Sequence, residues 1–456
     1  MLLELDLPQI DPAIQDLHTA TAFYTHDRVV DELLDLAEWP QCGGTLLESG
    51  AGDGAIVVRA VGRLALAPDD IEGLRARVEA WEIHPAAATA MRRRLAAHLE
   101  ARGWTPSVSR AAGDAVVREA DFLAPGPQDR RYRAAIANPP FLKISRVGDS
   151  LRAMYLETVP AHARADLLHA FLDRATSLLT DDGVLAWITS DRWLFTQNAA
   201  DLRAIVGQRF GVESLRRITE SAFYVPKTRK AGAPPRVHPV AVVLSRSARA
   251  TRPLTREAIY PESGEALLGA VPLGSVAQIR LCPWLGRAGV FVLPTVVSTD
   301  FPSDARVPCV DTDDLGADDV LRAPQRFALR TSRGVTPDDR VRAHLERTTP
   351  SLAPRARREP CWLPPESWGP LPLAQDALLI PRIARRLRAV RLPAGVLGIN
   401  HNMTVVSSAI PLAQLTAMLT TDEVQAWIAA RAPRLEGGFY SLTTTLLRQI
   451  PVLLPT

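Results

Sequence analysis

The chain has 456 residues, 53 basic against 50 acidic, with 47% hydrophobic and 23% charged positions and a net charge of +3. That balance excludes a disordered polyelectrolyte, and the length suits two or three domains. No apolar run approaches the roughly 20 residues of a membrane-spanning helix, and the amino-terminal MLLELDLPQIDPAIQD lacks the basic start and apolar core of a secretory signal, so a cytoplasmic protein without membrane engagement is expected.

Four scattered cysteines, Cys42, Cys282, Cys309 and Cys361, offer neither a disulfide scaffold nor a short C-x-x-C spacing, so no metal site is expected. Lysine occurs only at Lys143, Lys227 and Lys230, leaving 50 arginines. None of the three follows Asp-x or Glu-x, which removes the common D/E-x-K nuclease end, and none follows glycine, which removes a Walker A loop.

From Thr45 to about Ser245, short apolar runs alternate with helical patterns, the signature of βαβ units in a doubly wound, mostly parallel sheet. The expected strands are Thr45–Glu48, Val78–Ile83, Ser107–Ala112, Arg133–Ala137, Val184–Thr189, Leu215–Thr219 and Val240–Leu244, seven in all. Helices are expected over Ala55–Leu66, Ala86–Arg102, Asp166–Leu179 and Asn198–Phe210, with Asp181-Asp182-Gly183 as a turn. After Ser245 the rhythm breaks, prolines multiply, and five aspartates fall within Asp311–Asp319. A first domain over 1–245 and a mixed α+β second domain over 246–456 are expected. Between Leu321 and Arg391, 15 arginines face six acids, a local excess that suits a polyanion if it lies on one face. The arginines of PRIARRLRAVR read equally as a solvated helix face or as phosphate contacts, and Asn400-His401-Asn402 is a second candidate for base edges. Helical periodicity returns over Leu412–Ala430, followed by a Gly437-Gly438 turn and a short helix at Leu442–Gln449.

Two constellations carry chemistry. Glu48-Ser49-Gly50-Ala51-Gly52-Asp53-Gly54 lies between a predicted strand and a predicted helix, the setting of a nucleotide-binding glycine loop and also of an ordinary strand-to-helix turn. Glu82, at the end of the next strand, is available to grip two ribose hydroxyls, but it comes 30 residues after Gly52, later than a plain NAD fingerprint. Asn138-Pro139-Pro140-Phe141 follows another strand. It reads as a turn, or as a stiff loop whose carbonyls and Asn138 amide oxygen accept hydrogen bonds, since proline fixes φ and donates none. Two aligned acceptors on one NH₂ group would localise the lone pair of an aromatic amine for in-line attack on a sulfonium methyl, with Phe141 as a stacking wall.

Taken in order, Phe23-Tyr24-Thr25, ESGAGDG, Glu82-Ile83, Asp121-Phe122-Leu123, NPPF and the run DLLHAFLDRATSLLTDDGVLAWITSDRWL resemble the gamma-class N6-adenine DNA methyltransferases of restriction-modification systems, over roughly residues 18–245. The resemblance implies a Rossmann-like class I methyltransferase fold and S-adenosylmethionine as cofactor. Tyr24 would line the cofactor site, Thr25 and Glu48 would meet the methionine end, Gly50 and Gly52 would let it lie on the backbone, Glu82 would hold the ribose, Ile83 would pack on its adenine, and Asp121 with Phe122 would take the adenine's edge and face. Asn138 and the Pro139 carbonyl, stiffened by Pro140, would hold the target amino group. Phe141 and Phe223 would stack on a base flipped from duplex DNA. The second domain would recognise the target, any nuclease would be a separate polypeptide, and host or phage defence is the expected setting. Gly113-Asp114 competes with Asp121, and Ser49-Gly50-Ala51-Gly52 stands where the family often has Pro-Ala-Cys-Gly. Two other readings stay open: an N-methyltransferase of RNA or protein glutamine, and a DNA-recognition subunit without turnover. His84, His162, His169, Trp187 and Trp193 are expected to serve capping, surface and packing roles.

Overall fold

A computed structural model describes residues 11–124, 131–218, 222–224, 239–260, 270–369, 371, 373–435 and 438–454. Thr219, the 227–236 segment KTRKAGAPPR and Gly437 lie outside the described residues. The chain forms two compact units, 1–261 and 262–456.

In the first unit the central strands are apolar on both faces. Ala135, Leu185, Trp187, Val242 and Leu244 pack into one core, and their neighbours Ala134, Ile136, Ala186, Ala241 and Val243 pack into another. This period-two division demands helices on both sides of the sheet. The strands are β1 (Leu46–Glu48), β2 (Val78–Glu82), β3 (Val117–Glu119), β4 (Tyr132–Ala137), β5 (Leu179–Ser190), β6 (Gly211–Arg217), β7 (Pro239–Ser245) and β8 (Arg252–Pro253). They lie in the order β8-β6-β7-β5-β4-β1-β2-β3. The run from β3 to β5 is parallel. β7 is antiparallel to β5 and β6, and β8 is antiparallel to β6.

Helices α1 (Pro12–Thr21), α2 (Asp27–Leu36), α3 (Ala55–Gly62), α4 (Ile71–Arg77), α5 (Pro85–Glu100), α6 (Pro106–Val116), α7 (Asp149–Thr158), α8 (Leu167–Leu178) and α9 (Ala200–Gly207) complete the layers. α1, α7, α8 and α9 cover one face of the sheet, and α2 to α6 cover the other. The strand order reverses between β1 and β4, which places a crevice beyond their carboxyl ends. This is the class I methyltransferase arrangement, seven strands with one antiparallel, and an eighth short strand on the β6 edge.

Several local readings are corrected. Ser107–Ala112 is not a strand but part of α6. Pro106 fills the first turn behind Thr105, and the buried Ser109, Ala112, Gly113 and Val116 recur at helical spacing. Asp181-Asp182-Gly183 does not break the chain either, because β5 starts at Leu179 and absorbs the segment as a register shift against β4. The first unit runs past Ser245, since Arg252 pairs with Val212, Ile259 N donates to Leu194 O at 2.9 Å, and Tyr260 stacks on Phe195.

The second unit holds an antiparallel sheet in the order Gln278–Leu281, Met403–Val406, Ala377–Ile380, Val390–Leu392. A mixed sheet, in the order Val292–Pro294, Arg326–Leu329, Arg306–Val310, Leu397–Gly398, encloses a core around Phe291, Phe327 and Trp368. Helical periodicity over Leu412–Ala430 resolves into two helices, Leu412–Leu419 and Asp422–Arg431, because the Thr421 hydroxyl caps a new start by accepting from Val424 N. Among the described residues no helix is long and apolar enough to cross a membrane.

The chain after β5 is pinned by Arg203 of α9, which is 1% exposed. Its guanidinium donates to the carbonyls of Trp193 (2.7 Å), Thr196 (3.0 Å), Arg256 (2.7 Å) and Glu257 (3.0 Å). Arg203→Met should leave these acceptors unpaired and lower the unfolding free energy of the first unit by roughly 3 kcal/mol, read as a lower midpoint in urea.

Candidate functional site

The carboxyl ends of β1, β2 and β4 and the segment after β3 converge on one chamber. Its wall includes Phe23, Tyr24, Thr25, Glu48, Ser49, Gly50, Gly52, Glu82, Ile83, Asp121, Phe122, Asn138 and Pro140. The glycine loop, the FYT segment, Glu82, Asp121 and the turn residues Asn138 and Pro140, far apart in sequence, thus share one chamber.

The loop is built by its backbone. Gly52 has φ +56°, and a Cβ there would lie 2.5 Å from Cε1 of Tyr24, so the position demands glycine twice over. Gly54, with φ +80°, caps the start of α3. At Gly50 a Cβ would meet only ordinary contacts, at 3.5 Å from Phe171.

Glu82 is buried and braces this loop. Its Oε2 accepts from Gly52 N and its Oε1 from His84 N, both at 2.8 Å. Burial raises its pKa to about 7 against the opposing pull of these two N–H donors. Glu48 is 2% exposed and held well above the usual carboxylate range, first by burial and then by the nearby Asp53 and Glu82. Among the described residues Glu48 Oε2, the Thr25 hydroxyl and the Ser49 hydroxyl are buried without a hydrogen-bond partner. Buried polar atoms are seldom left so, and three on one chamber wall suit an external ligand bearing an amine and a carboxylate.

Elsewhere in the chamber lining Asp121 accepts from Leu123 N and from the Tyr155 hydroxyl, each at 2.8 Å. Burial raises its pKa, offset by those two donors. Phe122 is buried beneath, packed against Trp81 and Phe171. Asp114, the competing acid, sits on α6 away from the chamber and pairs with Arg92 at 3.1 Å.

Asn138 leaves β4 with its side chain fixed. Nδ2 donates to the Phe23 carbonyl at 2.8 Å, so Oδ1 is the atom left to accept. Neither Oδ1 nor the Pro139 carbonyl receives a hydrogen bond among the described residues. The chain beyond Phe141 is tied down by Leu167 N donating to Leu142 O at 2.8 Å, at the start of α8. Phe223 is brought to this place by antiparallel pairing of Phe223–Tyr224 with Tyr24–Thr25. It does not form a separate wall: it is buried, and it meets Phe141 edge to face, with centroids 6.3 Å apart at 65°. No aromatic base fits between rings in that contact.

Sequence reasoning missed Tyr155, which orients Asp121, and the stacked rings of His18 and His84, 3.9 Å apart on the chamber wall. His84 also caps α5, accepting from Ala87 N at 3.4 Å. His169 is buried in α8, and burial lowers its pKa to about 4. Trp187 and Trp193 are core residues.

The fold and chamber define a class I methyltransferase, and this fold's cofactor is S-adenosylmethionine, whose amine, carboxylate, ribose and adenine match the polar groups lining the chamber. Residues 97–223 match the family described as Eco57I restriction-modification methylase. The chain is 24% identical over 504 residues to the type II methyltransferase M.PaeR7I of Pseudomonas aeruginosa, spanning 96% of this chain and 86% of that protein. It is 27% identical over 263 residues to M.XhoI of Xanthomonas vasicola, covering 53% of this chain and 46% of that one. Among solved structures, the type IIL restriction-modification enzyme MmeI, determined in complex with DNA, superposes with a TM-score of 0.55 at 15% identity, over 93% of this chain and 64% of that chain. The chain is therefore similar in sequence to a type II methyltransferase along nearly its whole length, and to the restriction-modification methylase family over residues 97–223.

The glycine loop supplies a test of this geometry. Gly52→Ala should reduce the unfolding free energy by about 1–3 kcal/mol, from the left-handed φ and the clash with Tyr24. Gly50→Ala should melt close to the unaltered protein, and equal thermal midpoints for the two variants would contradict the packing described.

Proposed function

We propose that this chain is a site-specific DNA methyltransferase of a restriction-modification system, and that it transfers a methyl group to the N6 amine of an adenine flipped from the duplex. The observation that carries the reading is the Asn138 amide, held by the Phe23 carbonyl so that an acceptor and not a donor is offered beside the chamber. The similarity to type II methyltransferases supports DNA as substrate.

S-adenosylmethionine supplies an electrophilic methyl group on a sulfonium. The chain's own part is binding and orientation. Glu48 and Thr25 hold the methionine end with atoms that have no other partner. Glu82 accepts from the ribose hydroxyls, Ile83 packs on the adenine, and Asp121 and Phe122 take its edge and face. Asn138 Oδ1 and the Pro139 carbonyl accept the two protons of the target amine, which localises its lone pair, and the excess proton leaves after transfer. Pro140 keeps this pair of acceptors stiff. Half-buried Phe141 is the surface on which the extruded base stacks, with Phe223 supporting it from behind.

Two measurements test this. Asn138→Ala should reduce methyl transfer to duplex DNA by at least about a thousandfold while cofactor affinity stays within a few fold; undiminished turnover would remove the assignment. Ribose hydroxyls donate most strongly to an ionised carboxylate, so binding is expected to release the proton that Glu82 carries below its pKa of about 7. Affinity for S-adenosylmethionine should therefore fall roughly tenfold from pH 8 to pH 6. Glu82→Gln should bind more weakly at pH 8 and lose most of that slope, as measured by calorimetric titration.

A further inference from the structure

In the second unit, PRIARRLRAVR does not form a solvated helix. It makes two short strands, Ile383–Ala384 and Val390–Leu392, joined by a turn that exposes Arg385 and Arg386 and buries Leu387 and Ala389. Its arginines differ in what holds them. Arg386 and Arg388 share the Asp319 carboxylate, and Arg391 pairs with Asp376. Arg385 lies over the Phe439 ring at 5.0 Å. Arg382 is exposed and has no carboxylate partner among the described residues; its Nη1 lies 3.1 Å from Nδ1 of His401.

That contact fixes the direction of a chain of hydrogen bonds. An arginine N–H can only donate, so His401 Nδ1 accepts and the ring proton sits on Nε2. Nε2 donates to the Glu366 carboxylate, at 3.0 and 3.1 Å from its two oxygens. Glu366 is held in turn by Trp284 N at 2.8 Å. The backbone of Arg382 is fixed at both ends: its N–H donates to Asn402 Oδ1 at 3.2 Å, and its carbonyl accepts from Leu442 N at 2.8 Å. Asn402 is 2% exposed and also donates to Asp311 Oδ1 and the Ile399 carbonyl, both at 2.9 Å.

The turn that presents His401 is strained. Asn400 and His401 have φ of +58° and +62°, a left-handed pair that L-residues keep only when their surroundings impose it. Asn400 Nδ2, donating to Asp311 Oδ2 at 2.5 Å, and the buried Asn402 amide impose it here. The outcome is an exposed guanidinium with no carboxylate partner and no side-chain hydrogen bond other than that to His401 among the described residues.

A phosphate contact needs charge near a backbone and tolerates a flexible stem. A base edge needs a fixed fork, and the N7 and O6 of guanine in the major groove fit a guanidinium bidentately. Resting on the reading of this chain as a DNA methyltransferase, we propose that Arg382 reads a guanine of the target sequence and that His401 and Glu366 position it.

The test is to express the full chain and its variants in a host free of other adenine methylation and to map modified positions by single-molecule sequencing. The unaltered protein should modify one sequence. Arg382→Ala and Arg382→Lys should both modify that sequence and its versions altered at one G·C pair, with discrimination at that pair reduced about tenfold or more, while thermal midpoint and cofactor affinity stay unchanged. Glu366→Gln should relax the same pair to a smaller degree. The proposal is overturned if Arg382→Lys keeps full discrimination while Arg382→Ala lowers modification evenly at all sites, the behaviour of a phosphate clamp, or if all variants keep the original specificity. Absence of DNA methylation by the unaltered protein would overturn the proposed function and this assignment together, a result distinguishable from both.

Discussion

The carboxylate of Glu82 joins two stretches of backbone, the glycine loop and the start of α5. Gly52 N and His84 N each donate to a different oxygen of this one side chain. An orphaned buried N–H is costly, and here one carboxylate satisfies two. The left-handed turn at Gly52, the packing of Tyr24 against it and the start of α5 behind His84 follow from that brace. Burial lifts the pKa of the same group to about 7, so the residue that holds the loop together is also poised between protonation states.

Two kinds of polar group share the chamber. Glu82, Asp121 and Asn138 already have protein partners and serve as fixed positions. Glu48, Thr25 and Ser49 retain atoms that the protein leaves unsatisfied. The first kind sets geometry, and the second retains binding capacity for something that arrives from outside. A fold that satisfied every buried group would be more stable and would bind less.

Legibility in the sequence follows the range of the forces involved. The glycine loop, Glu82 and NPPF stand out because each needs particular residue types at a strand end, and the structure gathers all of them in one chamber. The apolar runs of β4, β5 and β7 are equally plain because both faces are buried. Ser107–Ala112 misleads because its small residues suit either period, and the decision falls to Pro106 and to contacts with α5 and α4. Tyr155 carries no local mark; only the packing of α7 brings its hydroxyl to Asp121 across 34 residues. Phe223 is legible as an aromatic near the site, but its burial behind Phe141 depends on pairing with a segment almost 200 residues earlier. In the second unit the arginine excess is visible in the sequence, whereas which guanidinium groups have a carboxylate partner is a tertiary matter.

The partner of the Asn138 amide is a main-chain oxygen, not a side chain. Polarity at the Asn138 turn is therefore insulated from drift at position 23: any residue there brings the same carbonyl, provided the local chain path survives. An amide turned end for end would present hydrogens to its guest and reject an amine in favour of a keto oxygen. Chemical selectivity at this turn thus rests on an atom common to every amino acid, which makes it resistant to mutation in a way that a side-chain latch could never be.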